Sequence, residues 1–135
     1  MAYQQIMVGL CGRGDESAVI REAIKIASGG HLTFICVNDP HAGEMSMMMD
    51  TPSAKHNEAD VYKWVSAVDE SVAKSATILV VTNESVPKAI SQASGEMDIL
   101  VLGHRKQSFF KENFFDSVDE GIVNQSGCPV LVVPK

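Results

Sequence analysis

The stretch DILVLG, Asp98–Gly103, decides the fold class of this sequence. A strand with one wet face alternates apolar and polar residues. Here Ile99, Leu100, Val101 and Leu102 follow one another without a break. Such a run is covered on both faces, the state of a strand inside a parallel sheet. The same type of run recurs on either side: Gln5–Leu10, His31–Val37 (HLTFICV), Ala76–Val81 (ATILVV) and Pro129–Val133 (PVLVV).

Segments of helical period separate these runs. Asp15 is placed to cap a helix through about Ser28, with Ile20, Ala23, Ile24 and Ala27 on one stripe and Gly29-Gly30 ending it. A second helix is predicted over about Asn57–Ala73, where Val61, Trp64, Val65, Val68 and Val72 share a face. A short third starts near Ser85, with Pro87 in its first turn, where a missing N–H costs little. A last one spans about Ser117–Gln125. The order is βαβαβαβαβ over residues 1–135, one α/β domain with a five-stranded parallel sheet and helices on both faces. Ligands of such sheets bind beyond the carboxyl ends of the strands, where the strand order reverses.

The chain has 135 residues, 45% of them hydrophobic, enough for a sizeable core. Its formal net charge of −6 argues against a nucleic-acid surface or docking on anionic lipid, both of which need a basic face. No run approaches the roughly 18 apolar residues of a membrane span. The opening MAYQQIMVGL has no basic stretch and is expected to run into a strand, not to act as a signal peptide. Three cysteines, Cys11, Cys36 and Cys128, without close spacing suggest thiols in a reducing cytoplasm.

Common five-strand chemistries leave no mark. The turn after the first strand holds Cys11-Gly12 where a phospho-acceptor domain needs an acidic pair. There is no CxxC, no GxxxxGK[ST] and no GxSxG, and His31, His41, His56 and His104 lack zinc-type spacing. No catalytic constellation is visible, and the expectation is a protein that is not an enzyme.

The combination of the DILVLG strand, a Gly103-His104-Arg105 turn, the Ser117-Val118 helix start and the closing SGCPVLVVPK resembles the universal stress protein family. The first strand and ICVND fit as well, so the resemblance covers essentially the whole chain. It implies a Rossmann-like, doubly wound sheet of order 3-2-1-4-5, similar to the adenine nucleotide alpha hydrolases, and a homodimer. It also implies a nucleotide pocket. Many members bind ATP through a Gly-x2-Gly-x9-Gly-Ser/Thr pattern between the fourth strand and the last helix. Glycines there let backbone N–H groups reach phosphate oxygens at a helix N-terminus. Laid on this chain, the pattern falls on Gly103, Lys106, Asp116 and Ser117. One glycine of three survives, and Asp116 brings a carboxylate that repels phosphate. Cys11, beside Gly12, stands where ATP binders often carry an acid, and Val37 matches the position whose backbone faces adenine. The chain therefore resembles the branch without robust ATP binding. No cofactor is expected, and ATP or AMP in an altered loop is the alternative.

Other features carry two readings each. Ser117 either touches a phosphate or caps its helix, in a capping box with Glu120. Arg105, Lys106 and Lys111 are either an anion site or a solvated basic loop. The pairs Phe109-Phe110 and Phe114-Phe115 either close the pocket or form a partner surface. EMSMMMD, residues 44–50, reads as an adaptable filler or lid more readily than as a metal site. Cys11 and Cys36, near the ends of adjacent strands, read as inert thiols or as a redox pair. The last strand, with Val130, Leu131, Val132 and Val133, is short and apolar and invites pairing at its edge. A second copy related by a twofold axis would cover it. The expectation is thus a cytoplasmic stress-response homodimer with a further protein partner that the sequence does not identify.

Overall fold

A computed structural model describes residues 3–12, 16–40, 55–104 and 121–134. Lys106 and Ser117 lie outside the described residues, as do Asp15, the methionine cluster, the Phe pairs and the basic turn. The strands are β1 (Gln5–Leu10), β2 (His31–Asn38), β3 (Thr77–Thr82), β4 (Ile99–His104) and β5 (Val130–Pro134). The helices are α1 (Ser17–Ala27), α2 (Glu58–Ser66), α3 (Glu70–Ser75) and α4 (Val86–Ala93), and residues 121–125 are also helical. The five strands form one parallel sheet of order β3-β2-β1-β4-β5.

The continuous apolar runs divide their side chains between two faces, as a period of two requires. Ile6, Val8 and Leu10 of β1, Phe34 and Cys36 of β2, and Ile99 and Val101 of β4 point to one face. There they meet Val19, Ile20 and Ala23 of α1, Val61 and Val65 of α2, and Ala73 of α3. Met7, Ile35, Leu100 and Leu102 point to the other, against Ile90 of α4 and Ile122. Each large side chain buried this way contributes about 1.5–3 kcal/mol. One-residue slips are disfavoured, because a slip would exchange the two sets.

Two boundaries depart from the sequence reading. The helix expected over 57–73 is two helices. Asp69 takes an extended conformation, φ −156° and ψ 108°, and its carboxylate accepts from the N–H groups of Ser71 and Val72, so it starts α3 afresh. The apolar stripe runs across this break because both helices lie on the same face of the sheet. At the head of α1 the N-cap is Glu16, whose side chain makes no cap hydrogen bond there. At the other end of α1 the chain turns through Ser28 and Gly29 with positive φ, 38° and 95°.

Candidate functional site

β1 is the strand where the order reverses, with β2 on one side and β4 on the other. The carboxyl end of β1 leads into Cys11 and Gly12, and Gly12 has φ +73°, a left-handed conformation that favours glycine. A Cβ on Gly12 would stand 2.5 Å from His56 Nε2 and 2.8 Å from Trp64 Cη2. The absent side chain therefore makes room for two rings.

Those rings are brought in by the end of β2. Asn38 is the last residue of that strand and only 4% exposed. Its amide spends both polar ends on one residue: Nδ2 donates to the His56 carbonyl at 2.7 Å, and the His56 N–H donates to Oδ1 at 3.0 Å. A buried amide without partners would be costly, so this pairing fixes where the chain returns to the sheet. The Asn38 carbonyl also accepts from the Asn83 N–H at 3.0 Å, tying in the exit of β3.

From His56 the chain enters α2 through a reciprocal cap. Asn57 Oδ1 accepts from the Asp60 N–H, and Asp60 Oδ2 accepts from the Asn57 N–H, each at 2.9 Å. Two turns into the helix, Trp64 meets the His56 ring edge-on, with centroids 4.9 Å apart and planes at 75°. The His56 Nδ1 lies 3.8 Å from the Asp60 carboxylate, and its side chain is 17% exposed.

A carboxylate closes the β1 side. Glu16 is 5% exposed. Its Oε2 accepts from the Cys11 N–H at 3.2 Å, and the Cys11 thiol lies 3.9 Å from Oε1. Beside them, Cys36 is fully buried. Burial first, then electrostatic repulsion from Cys11, Glu16 and Asp60, push its thiol up to about 11. Cys36 is thus a protonated thiol at neutral pH, not a nucleophile. No disulfide joins any of the three cysteines, all of which are among the described residues.

Of the residues singled out from sequence, Cys11 and Gly12 lie at this exit. Val37 pairs with Val81 and packs on the face of α4, while Gly103 pairs with Val133 in β4. Lys106 and Ser117 lie outside the described residues. Glu16, Asn38, His56 and Trp64 were not read as site residues. A polar Asn ending an apolar run, followed by the chain's one tryptophan and a histidine eight residues before it, is the trace they leave. Among the described residues no group of three or more His, Cys, Asp or Glu side chains is placed to hold a metal ion. No helix among them is long and apolar enough to cross a membrane.

At the far end of the sheet, β5 is an edge. Val133 is buried beneath α1, Val130 and Leu131 are half-buried, and Val132 is 42% exposed. An open groove lined by Arg21, Lys25, Leu131 and Val133 runs between α1 and this strand.

The family model of the universal stress proteins matches residues 2–134. Among curated proteins none matches the sequence. Solved structures of the same fold include a universal stress protein in complex with cAMP, 20% identical, with a TM-score of 0.68 over 99% of this chain and 98% of that one. A universal stress protein from Lactobacillus plantarum is 19% identical, with a TM-score of 0.64 over 98% of this chain and 99% of that one. A universal stress protein from Archaeoglobus fulgidus in complex with dAMP is 16% identical, with a TM-score of 0.54 over 98% and 99% of the two chains.

Proposed function

The chain belongs to the universal stress protein family, and from that premise we propose that it is a non-enzymatic regulatory protein of the stress response. On this reading it acts in the cytoplasm as a homodimer that engages a protein partner and does not bind ATP robustly. One observation carries the reading. At the β1 exit, among the described residues, the acid Glu16 is turned inward onto the Cys11 N–H, 3.2 Å away, and is nearly buried. A carboxylate spent on its own backbone is not offered to a ribose or a base. The sequence supports the same reading further along, where Lys106 and Asp116 replace two of the glycines of a phosphate loop.

A second reading, an adenine-nucleotide-binding member, is favoured by the relatives solved with cAMP and dAMP. There, Gly103, Lys106 and Ser117 would take the phosphates and Val37 would frame the adenine. Titration calorimetry with ATP and AMP, each with Mg²⁺, separates the two. Absent or millimolar binding is expected. Micromolar binding that Ser117→Ala and Lys106→Glu abolish would establish the second reading instead.

A further inference from the structure

The groove between α1 and β5 joins a sheet edge to a cationic rim. Arg21 and Lys25 of α1 line it, with Leu131, Val132 and Val133 of β5 on the other side. We propose that it docks an acidic, extended segment of a protein partner, which adds to β5 as a sixth strand and sets its carboxylates against Arg21 and Lys25. The inference rests on the reading that the protein engages a protein partner, and it names the chemistry of that partner.

The edge is open in a definite pattern. Successive residues of a parallel strand send their N–H and C=O groups alternately to one side and to the other. The Leu100 N–H donates to the Pro129 carbonyl at 2.9 Å, so Pro129, Leu131 and Val133 bond toward β4. Val130 and Val132 therefore turn their backbone groups outward, and Pro134, without an N–H, ends the row of donors. Side chains alternate across the sheet as well. Leu131 and Val133 belong to the α1 face and Val130 to the opposite one. Val132 thus reaches the groove with its backbone, not its side chain. A peptide strand laid there meets main-chain partners, which give affinity whatever its sequence.

The rim supplies the selectivity. Glu22 also lines the groove, and Lys25 holds it at 3.0 Å. Arg21 is exposed and donates to Ser17 Oγ at 3.3 Å, and no carboxylate among the described residues pairs with its guanidinium. A guanidinium with donors left over, beside an apolar floor, matches a carboxylate on the facing side of an added strand. The β5 of a second copy supplies none, because Val130–Pro134 contains no acid. Segment and second copy compete for the same outward groups of Val132. The dimer is then the resting form, and capture of the partner opens it.

The test uses the full chain and end-capped, dye-labelled probe peptides. The first alternates valine and glutamate, so that on β5 its glutamates lie on the α1 side and its valines beside Val132. The second has glutamine in place of glutamate. Fluorescence anisotropy is expected to show saturable binding of the glutamate peptide. Binding should be about threefold weaker for the glutamine peptide and about tenfold weaker for the glutamate peptide on Arg21→Glu. Arg21→Glu should in turn prefer a valine–lysine peptide that the wild type rejects. Val132→Pro removes an outward N–H without touching the bonds to β4, and is expected to abolish binding. Light scattering should show the wild-type dimer giving way to a peptide-bound monomer as the glutamate peptide saturates. The proposal is overturned by no saturable binding, by equal binding of the two peptides, or by full affinity in a folded Arg21→Glu or Val132→Pro. A dimer that persists at saturation also overturns it and leaves the edge to the second copy. A wild-type monomer that binds the glutamate peptide through Arg21 instead sinks the dimer of the functional reading and supports this inference. Tight ATP binding sinks the functional reading alone.

Discussion

Asn38 shows how much one amide can fix. Both of its polar ends are committed to the His56 backbone, and its side chain is almost wholly buried. Asn38→Ala removes two hydrogen bonds and strands the His56 N–H and carbonyl. The expected loss is about 1–3 kcal/mol, read as a lower urea midpoint at unchanged slope. Cys36 gives a pH signature. Its thiol is held at about 11 in the fold, above the ordinary value of 9.0, so the native state binds that proton more tightly than the unfolded chain does. The associated stability is whole below about pH 9 and declines as pH rises toward 11. Denaturation of the wild type against Cys36→Ala across that window should show the extra slope only in the wild type. A thiol reagent should label Cys11 in the native protein and Cys36 only on unfolding. That Cys11, Gly12, Val37 and Gly103 lie at or near the carboxyl ends of strands was legible in the sequence, because the ends of apolar runs mark those places. Asn38, His56 and Trp64 were not, because their relation runs between the end of a strand, the return of a long connection and the second turn of a helix. No sequence period links such positions.

Among the elements, the strands were the most readable. β1 matches its expected bounds, and the other four are displaced by a residue at one or both ends. Their apolar runs are long and their surroundings leave one solution. The helices show where periodicity misleads. An apolar stripe reports only which side faces the sheet. α2 and α3 face the same side, so the stripe crosses Asp69 without a sign that the backbone has left the helix there. The useful signal was the cap: Asp69 followed by Ser71 is the pattern of a new N-terminus. Hydrogen bonds from Ser71, first its hydroxyl, and from Val72 hold the Asp69 carboxyl below its usual value, as a capping carboxylate requires. The cap at the head of α2 is reciprocal, and it lies between His56 and Trp64 along the chain. Asn57→Ala is expected to cost about 1 kcal/mol in stability. It should also change Trp64 emission, whereas a cap that served only the helix would leave the fluorescence untouched.

In the molecule as a whole, one edge is the place for the proposed dimer contact. β5 is the outermost strand on its side, and Val132 is its exposed valine. A twofold pairing of β5 with its copy would satisfy the free edge and cover this side chain. Light scattering at micromolar concentration is expected to give the mass of a dimer for the wild type and of a monomer for Val132→Glu, with the circular dichroism of the two unchanged. A wild-type monomer under those conditions would sink the dimer. The sequence made this edge visible because its last run is short, apolar and follows the strand that names the fold. The groove beside it stayed hidden, since Arg21 and Lys25 of α1 are more than a hundred residues away along the chain. The Asn38–His56 tether has a last consequence, for engineering. It joins two points 18 residues apart, so a segment inserted between them would start and end beside one anchored contact. Closure entropy grows only slowly with length, about 0.6 kcal/mol for each doubling. The tether is thus a natural port for grafting a foreign peptide or a small reporter domain, because it keeps the two ends of an insertion together.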